Sequence, residues 1–92
     1  MGHQSSESLE QLVKTAQVTV QVNQIYQHYK DSRKTYRIVA VALDEVSESV
    51  AIVYQALYSP HLTWIRPITN FLEAVSWEGK VVPRFQRVIK PE

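Results

Sequence analysis

Cysteine is missing from this 92-residue chain, and glycine occurs twice. Without cysteine there are no disulfide staples, no thiolate zinc ligands and no thiol nucleophile. Two glycines are too few for a phosphate-cradling loop, and neither GxxxxGK nor GxGxxG occurs. Charge of one sign is also lacking: ten Lys and Arg face nine Asp and Glu. Bulk electrostatics therefore does not hold the chain to nucleic acid or membrane. No run approaches the ~20 apolar residues that span a bilayer. The first residues carry no basic, then apolar, leader pattern, so no membrane partner and a cytoplasmic location are expected. The length allows one domain, burying only roughly 60–65% of its unfolded surface.

What is present is unevenly placed. All nine aromatics lie between Tyr26 and Phe85, and the segment before them is rich in glutamine and serine. Aromatics supply much of a small core, which divides the chain into an N-terminal extension, 1–23, and a β domain, 24–90. Within the extension, Ser8 followed by Gln11 reads as a capping box. Leu9, Leu12, Val13 and Ala16 then repeat at the spacing of one helix face. Such a short helix is marginal alone, so it docks on its own domain or pairs with a second copy through that stripe. Val18 to Val22 alternates as a strand would, although Val20 also continues the helical stripe.

Beyond residue 24 the pattern is short strands. Ile25 to Tyr29 is the first, with Asp31 to Lys34 as a polar turn. Tyr36 to Leu43 and Val50 to Tyr58 are apolar on both faces, which places them centrally in a sheet. Leu62 to Arg66 ends at Pro67, which cannot donate to a ladder. Glu78-Gly79 joins Val75–Trp77 to Lys80–Val82 as a hairpin, and Phe85 to Ile89 closes the series. Gly79, the lone glycine of the body, is the position least tolerant of replacement. Six or so strands at this spacing imply a mainly β fold, a small barrel or rolled antiparallel sheet with a short N-terminal helix.

His28-Tyr29-Lys30, Val53-Tyr54-Gln55-Ala56-Leu57-Tyr58, Trp64-Ile65-Arg66-Pro67, Phe71, Glu73, Val75, Gly79-Lys80 and Val82-Pro83-Arg84-Phe85 together carry a resemblance. Over about residues 25–88 the chain resembles a family of short bacterial proteins, Domain of Unknown Function 1653. The resemblance implies an SH3-like barrel and leaves activity, cofactor and partner open. The chain departs from that pattern after the second strand, where a basic, histidine-bearing turn is replaced by Asp44-Glu45-Val46-Ser47-Glu48-Ser49.

The chemistry-bearing set is His28, Tyr29, Lys30, Tyr54, Tyr58, Trp64, Arg66 and Arg84. Rings beside guanidinium groups offer stacking surfaces and cation–π contacts. Such a rim would bind a peptide or a small anionic ligand. It would equally stack unpaired bases, with Lys80, Arg84, Arg87 and Lys90 as a basic strip. The same residues also suit plain core and rim, and an ion pair of Arg66 or Arg84 with Glu73 is the ordinary alternative to a ligand contact. An enzyme would require His28, Tyr54 and Arg66 to converge, but no GxSxG elbow or HExxH helix is present. His3, His28 and His61 are too scattered for a metal site. The expectation is a non-catalytic binding module, without catalytic residues, metal or cofactor.

Overall fold

A computed structural model describes residues 5–89. The chain runs α1 (Ser6–Thr19), β1 (Ile25–His28), β2 (Asp31–Leu43), β3 (Val50–Ala56), β4 (Thr63–Pro67), α2 (Ile68–Phe71), β5 (Ala74–Trp77), β6 (Lys80–Pro83) and β7 (Phe85–Val88). Five strands form one antiparallel sheet in the order β4-β3-β2-β1-β7, and β5-β6 is a separate hairpin. The fold is mainly β, as expected, but β4 and β7 remain edges and the sheet is rolled rather than closed into a barrel. No helix among the described residues is long and apolar enough to cross a membrane.

The helix starts earlier and ends later than its sequence pattern suggested. Ser5, not Ser8, is the N-cap: its hydroxyl accepts the Ser8 N–H at 3.1 Å. A cap needs an extended backbone, and Ser5 has it at φ −69°, ψ 158°. The alternation from Val18 to Val22 does not make a strand. Of its three valines only Val20 is buried, while Val18 is 77% exposed, so no strand face exists to bury. The helical stripe wins because Ala16 and Val20 both reach the interior. Leu9 and Val13 are half-buried and α1 lies against β2 and β3, while Leu12 of the same stripe stays exposed. The core therefore reaches back before residue 24.

The polar segment 31–34 is also placed differently. The tight turn is Tyr29-Lys30, with His28 opposite Asp31, and β2 begins at Asp31. Gln27 pairs with Thr35, so residues 32–34 are extra on β2 and bulge outward. Asp31 holds that bulge by accepting both the Arg33 N–H, at 2.9 Å, and its guanidinium, at 3.1 Å. Those bonds keep the Asp31 carboxyl below its ordinary range.

A second irregularity, between Ile38 and Ala40, lets Tyr36, Ile38 and Val41 all pack toward one core despite their mixed parity. That core joins Val20, Tyr26, Tyr36, Ile38, Ile52, Tyr54, Ala56, Phe71 and Phe85. On β3 Ile52, Tyr54 and Ala56 face it, while Val53 and Gln55 lie half-exposed on the other side. Phe71 from α2 stacks on Phe85 of β7 with centroids 4.5 Å apart, and meets Tyr26 edge-on.

The scarcity of glycine is answered by other residues in left-handed geometry. Asn23, Glu48, His61 and Glu78 all have φ between 49° and 75°. Glu78 and Gly79, both at positive φ, form the two-residue turn between Trp77 and Lys80. A Cβ at Gly79 would meet nothing within 4 Å, so the obstacle to replacement is its φ of +80° and not crowding. Gly79→Ala should lower stability by about 1–2 kcal/mol, read as a reduced urea midpoint at unchanged m-value.

Candidate functional site

β4 brings two of the expected residues to one place. Trp64 and Arg66 are two apart and share the face that Tyr54, directly opposite Trp64 on β3, also uses. With His28, Tyr36, Tyr58 and Phe85 they line a cavity of about 220 Å³. Five of the eight residues expected from sequence thus meet: His28, Tyr54, Tyr58, Trp64 and Arg66. Lys30 lines an adjoining cavity of about 260 Å³ with Asp31 and Lys34, and His28 and Tyr36 are common to both. The two cavities make one cleft.

The remaining two residues support it from behind. Tyr29 stacks on His28 at 4.6 Å and meets Trp77 edge-on. Arg84 turns to Glu73, donating at 2.7 Å to its carboxylate, which is the internal ion pair foreseen as the ordinary alternative. Its buried Nε has no hydrogen-bond acceptor among the described residues. The Arg84 backbone also ties the two sheets: its N–H donates to Glu73 and its carbonyl accepts from Tyr29.

Arg66 has a different setting. Its Nε donates to the Tyr54 hydroxyl at 3.3 Å and another guanidinium nitrogen donates to Asn70 Oδ1. The guanidinium lies 5.6 Å from the Phe85 ring centre. Asn70 in turn donates to Glu73 at 3.4 Å, so Arg66 reaches that carboxylate only through a neutral amide. Tyr36 and Tyr58 share a hydroxyl–hydroxyl bond of 2.5 Å. Burial first, and then that bond, raises the Tyr36 pKa, which keeps its phenol neutral.

His28 is the electrostatic centre. Its Nδ1 accepts the Lys30 N–H at 3.1 Å, which places the proton of the neutral ring on Nε2. Burial lowers its pKa, and Lys30, Arg66, Arg84 and Lys34 lower it further. Burial and the surrounding cations act in the same direction, toward the neutral ring. The sign for stability follows: a native pKa below the unfolded value gives stability that is full above pH ~6.5 and lost as pH falls through the native pKa. His28→Gln should flatten the decline of urea midpoint below pH 6.5; an unchanged slope would mean that other groups cause it.

Tyr36, Phe85 and Lys34 also belong to the cleft and escaped the sequence reading. Tyr36 had a signal, since it shares a strand face with Ile38, and Phe85 closes the V-P-R-F segment. Lys34 had none; its ammonium lies 5.5 Å from the Tyr58 ring only because the bulge carries it there. The basic strip divides, with Lys80 on the hairpin, Arg87 on β7, Arg84 engaged by Glu73 and Lys90 outside the described residues. Among the described residues no three His, Cys, Asp or Glu side chains gather as a metal site.

A larger cavity, about 530 Å³, lies between α1 and α2 and is lined by Leu12, Ala16, Val50, Ile68 and Leu72 among others, with no charged side chain. It has volume but little chemistry. The model of a family described as "Protein of unknown function (DUF1653)" matches residues 24–87.

The chain belongs to the DUF1653 family.

A crystal structure of a DUF1653 protein from Bordetella bronchiseptica is similar, with a TM-score of 0.63 and 28% identity over 74% of this chain and 90% of that one. No curated protein matches the chain. All the cleft residues, from His28 to Phe85, fall inside the DUF1653 segment, whereas α1, which walls the larger cavity, falls before it.

Proposed function

We propose that this DUF1653 domain is a non-catalytic binding module whose aromatic and basic cleft takes the anionic group of a small molecule or peptide. One observation carries the reading: a neutral His28 stands among Lys30, Lys34, Arg66 and Arg84 beside the rings of Tyr36, Tyr54, Tyr58 and Trp64. Of these cations Arg84 alone is in an ion pair among the described residues, with Glu73; Lys34 meets the charge of Asp31, which Arg33 already engages. A carboxylate or phosphate oxygen would relieve the repulsion, accept from Arg66 and the His28 ring, and lie against aromatic walls that keep water away.

Linkage supplies the test. A bound anion stabilises the imidazolium, so inorganic phosphate should raise the His28 pKa in an NMR titration. Phosphate that leaves the His28 resonances unmoved at low ionic strength would end this reading. A small enzyme is the second reading, because His28, Tyr54 and Arg66 do line one cleft. Binding is preferred: the His28 Nδ1 is taken by a backbone amide, and no carboxylate orients the ring among the described residues. A nucleic-acid role draws less support, since its basic strip is split between β6 and β7.

A further inference from the structure

The cleft opens beside an unpaired sheet edge. β4 ends the strand order, and no described strand pairs with its outer side. Its register with β3 runs without a bulge from Ala51↔Pro67 to Gln55↔Thr63. The Ala56 N–H donates to the Leu62 carbonyl, which fixes the alternation: Leu62, Trp64 and Arg66 turn their backbone groups to β3. The N–H and C=O of Thr63 and Ile65 therefore point outward.

Sheet edges are normally blunted by lysine, bulges, inward charges or a covering element. β4 has no lysine and no bulge; its guards are Pro67 at its end and Arg66, which Tyr54 and Asn70 turn into the cleft, so the stretch Thr63–Ile65 is left open. Leu62, Trp64 and Ile65 are instead 50%, 50% and 64% exposed. The other edge strand, β7, carries Arg87.

We propose that the open edge of β4 is a strand-addition site for an extended acidic segment of a partner protein, whose alternate side chains enter the cleft. This rests on the anion-binding reading above and names its ligand. In antiparallel pairing, the partner residue opposite Ile65 exchanges both backbone bonds and covers Ile65 and Val53 on the outer face, so it is apolar. The residue opposite Arg66 lies on the cleft face, where Arg66, Lys34 and Lys30 select a carboxylate. The residue opposite Trp64 shares that face and is aromatic or apolar.

The probe is the peptide acetyl-Thr-Glu-Val-Tyr-Thr-amide, added to the full chain and followed by amide NMR and hydrogen exchange. The Thr63 and Ile65 amides should gain protection, and the His28 resonances should move. N-methylation of the peptide valine should weaken binding by about tenfold or more, because it removes a bond to the Ile65 carbonyl. Ile65→Pro should do the same while sparing the β3–β4 ladder, since proline is tolerated where the edge N–H faces solvent. Equal binding of the N-methylated peptide, or of one with Lys in place of Glu, overturns the proposal. So does a dimer in light scattering that Ile65→Pro converts to monomer, because the occupant is then a second copy. If phosphate moves His28 but the peptide does not protect Ile65, strand addition fails alone. If phosphate also has no effect, the anion-binding reading fails with it.

Discussion

Phe71→Ala should cost about 3–5 kcal/mol, the largest stability loss expected of a single truncation in this chain. Phe71 is fully buried and stacks on Phe85 with ring planes 8° apart, and Tyr26 and Tyr54 also lie against it. It is the only buried residue of α2, a four-residue helix that cannot persist by itself. Removing the ring thus opens a cavity between β3 and β7 and frees the connection from β4 to β5. A domain of this length has roughly 5–15 kcal/mol in total, so the variant should be partly unfolded at moderate temperature. Urea denaturation of Phe71→Ala and Phe71→Leu separates the causes, with leucine costing under about 1.5 kcal/mol if volume dominates. A loss below 1 kcal/mol for alanine would contradict the central place given to the stacked pair.

The second large effect concerns binding. Arg66→Met should reduce phosphate affinity at least tenfold, since a hydrogen bond to a charged group contributes about 1.5–3 kcal/mol. Arg66→Lys should not restore it, because the planar fork that reaches Tyr54 and Asn70 together has no counterpart in a single ammonium. Arg66→Met carries an internal control. With one cation gone from its surroundings, the His28 pKa of the free protein should rise, because Arg66 is among the groups that hold it down. Unchanged affinity with a raised His28 pKa would show that Arg66 sets the local potential without touching the anion.

Much of the cleft was legible because strand alternation is local. Trp64 and Arg66 share a face by spacing alone, and the pattern through Ile52, Tyr54 and Ala56 marks the core side of β3. Arg84 could not be assigned the same way. Nothing local distinguishes it from Arg66, yet Glu73 engages one and a neutral asparagine the other. Lys34 was invisible for a related reason, since a bulge has no period and its direction depends on the partner strand. The capping serine was misplaced because three serines lie close together, and the choice among them rests on where the helix meets the sheet.

The sequence by itself determined a β-rich body with strands at short intervals, an apolar helix stripe before it and no cysteine chemistry. Those properties follow from composition and from periods of two and 3.6 residues, which act within a few positions of the chain. Only the tertiary structure decided that the sheet stays open, that Val20 joins the core, and that His28 on β1 meets Trp64 and Arg66 on β4. Closure, register and the meeting of distant side chains depend on bulges and on packing between strands far apart in sequence. No local period encodes such contacts, so a chain with no catalytic motif still folds to place a neutral histidine among four cations.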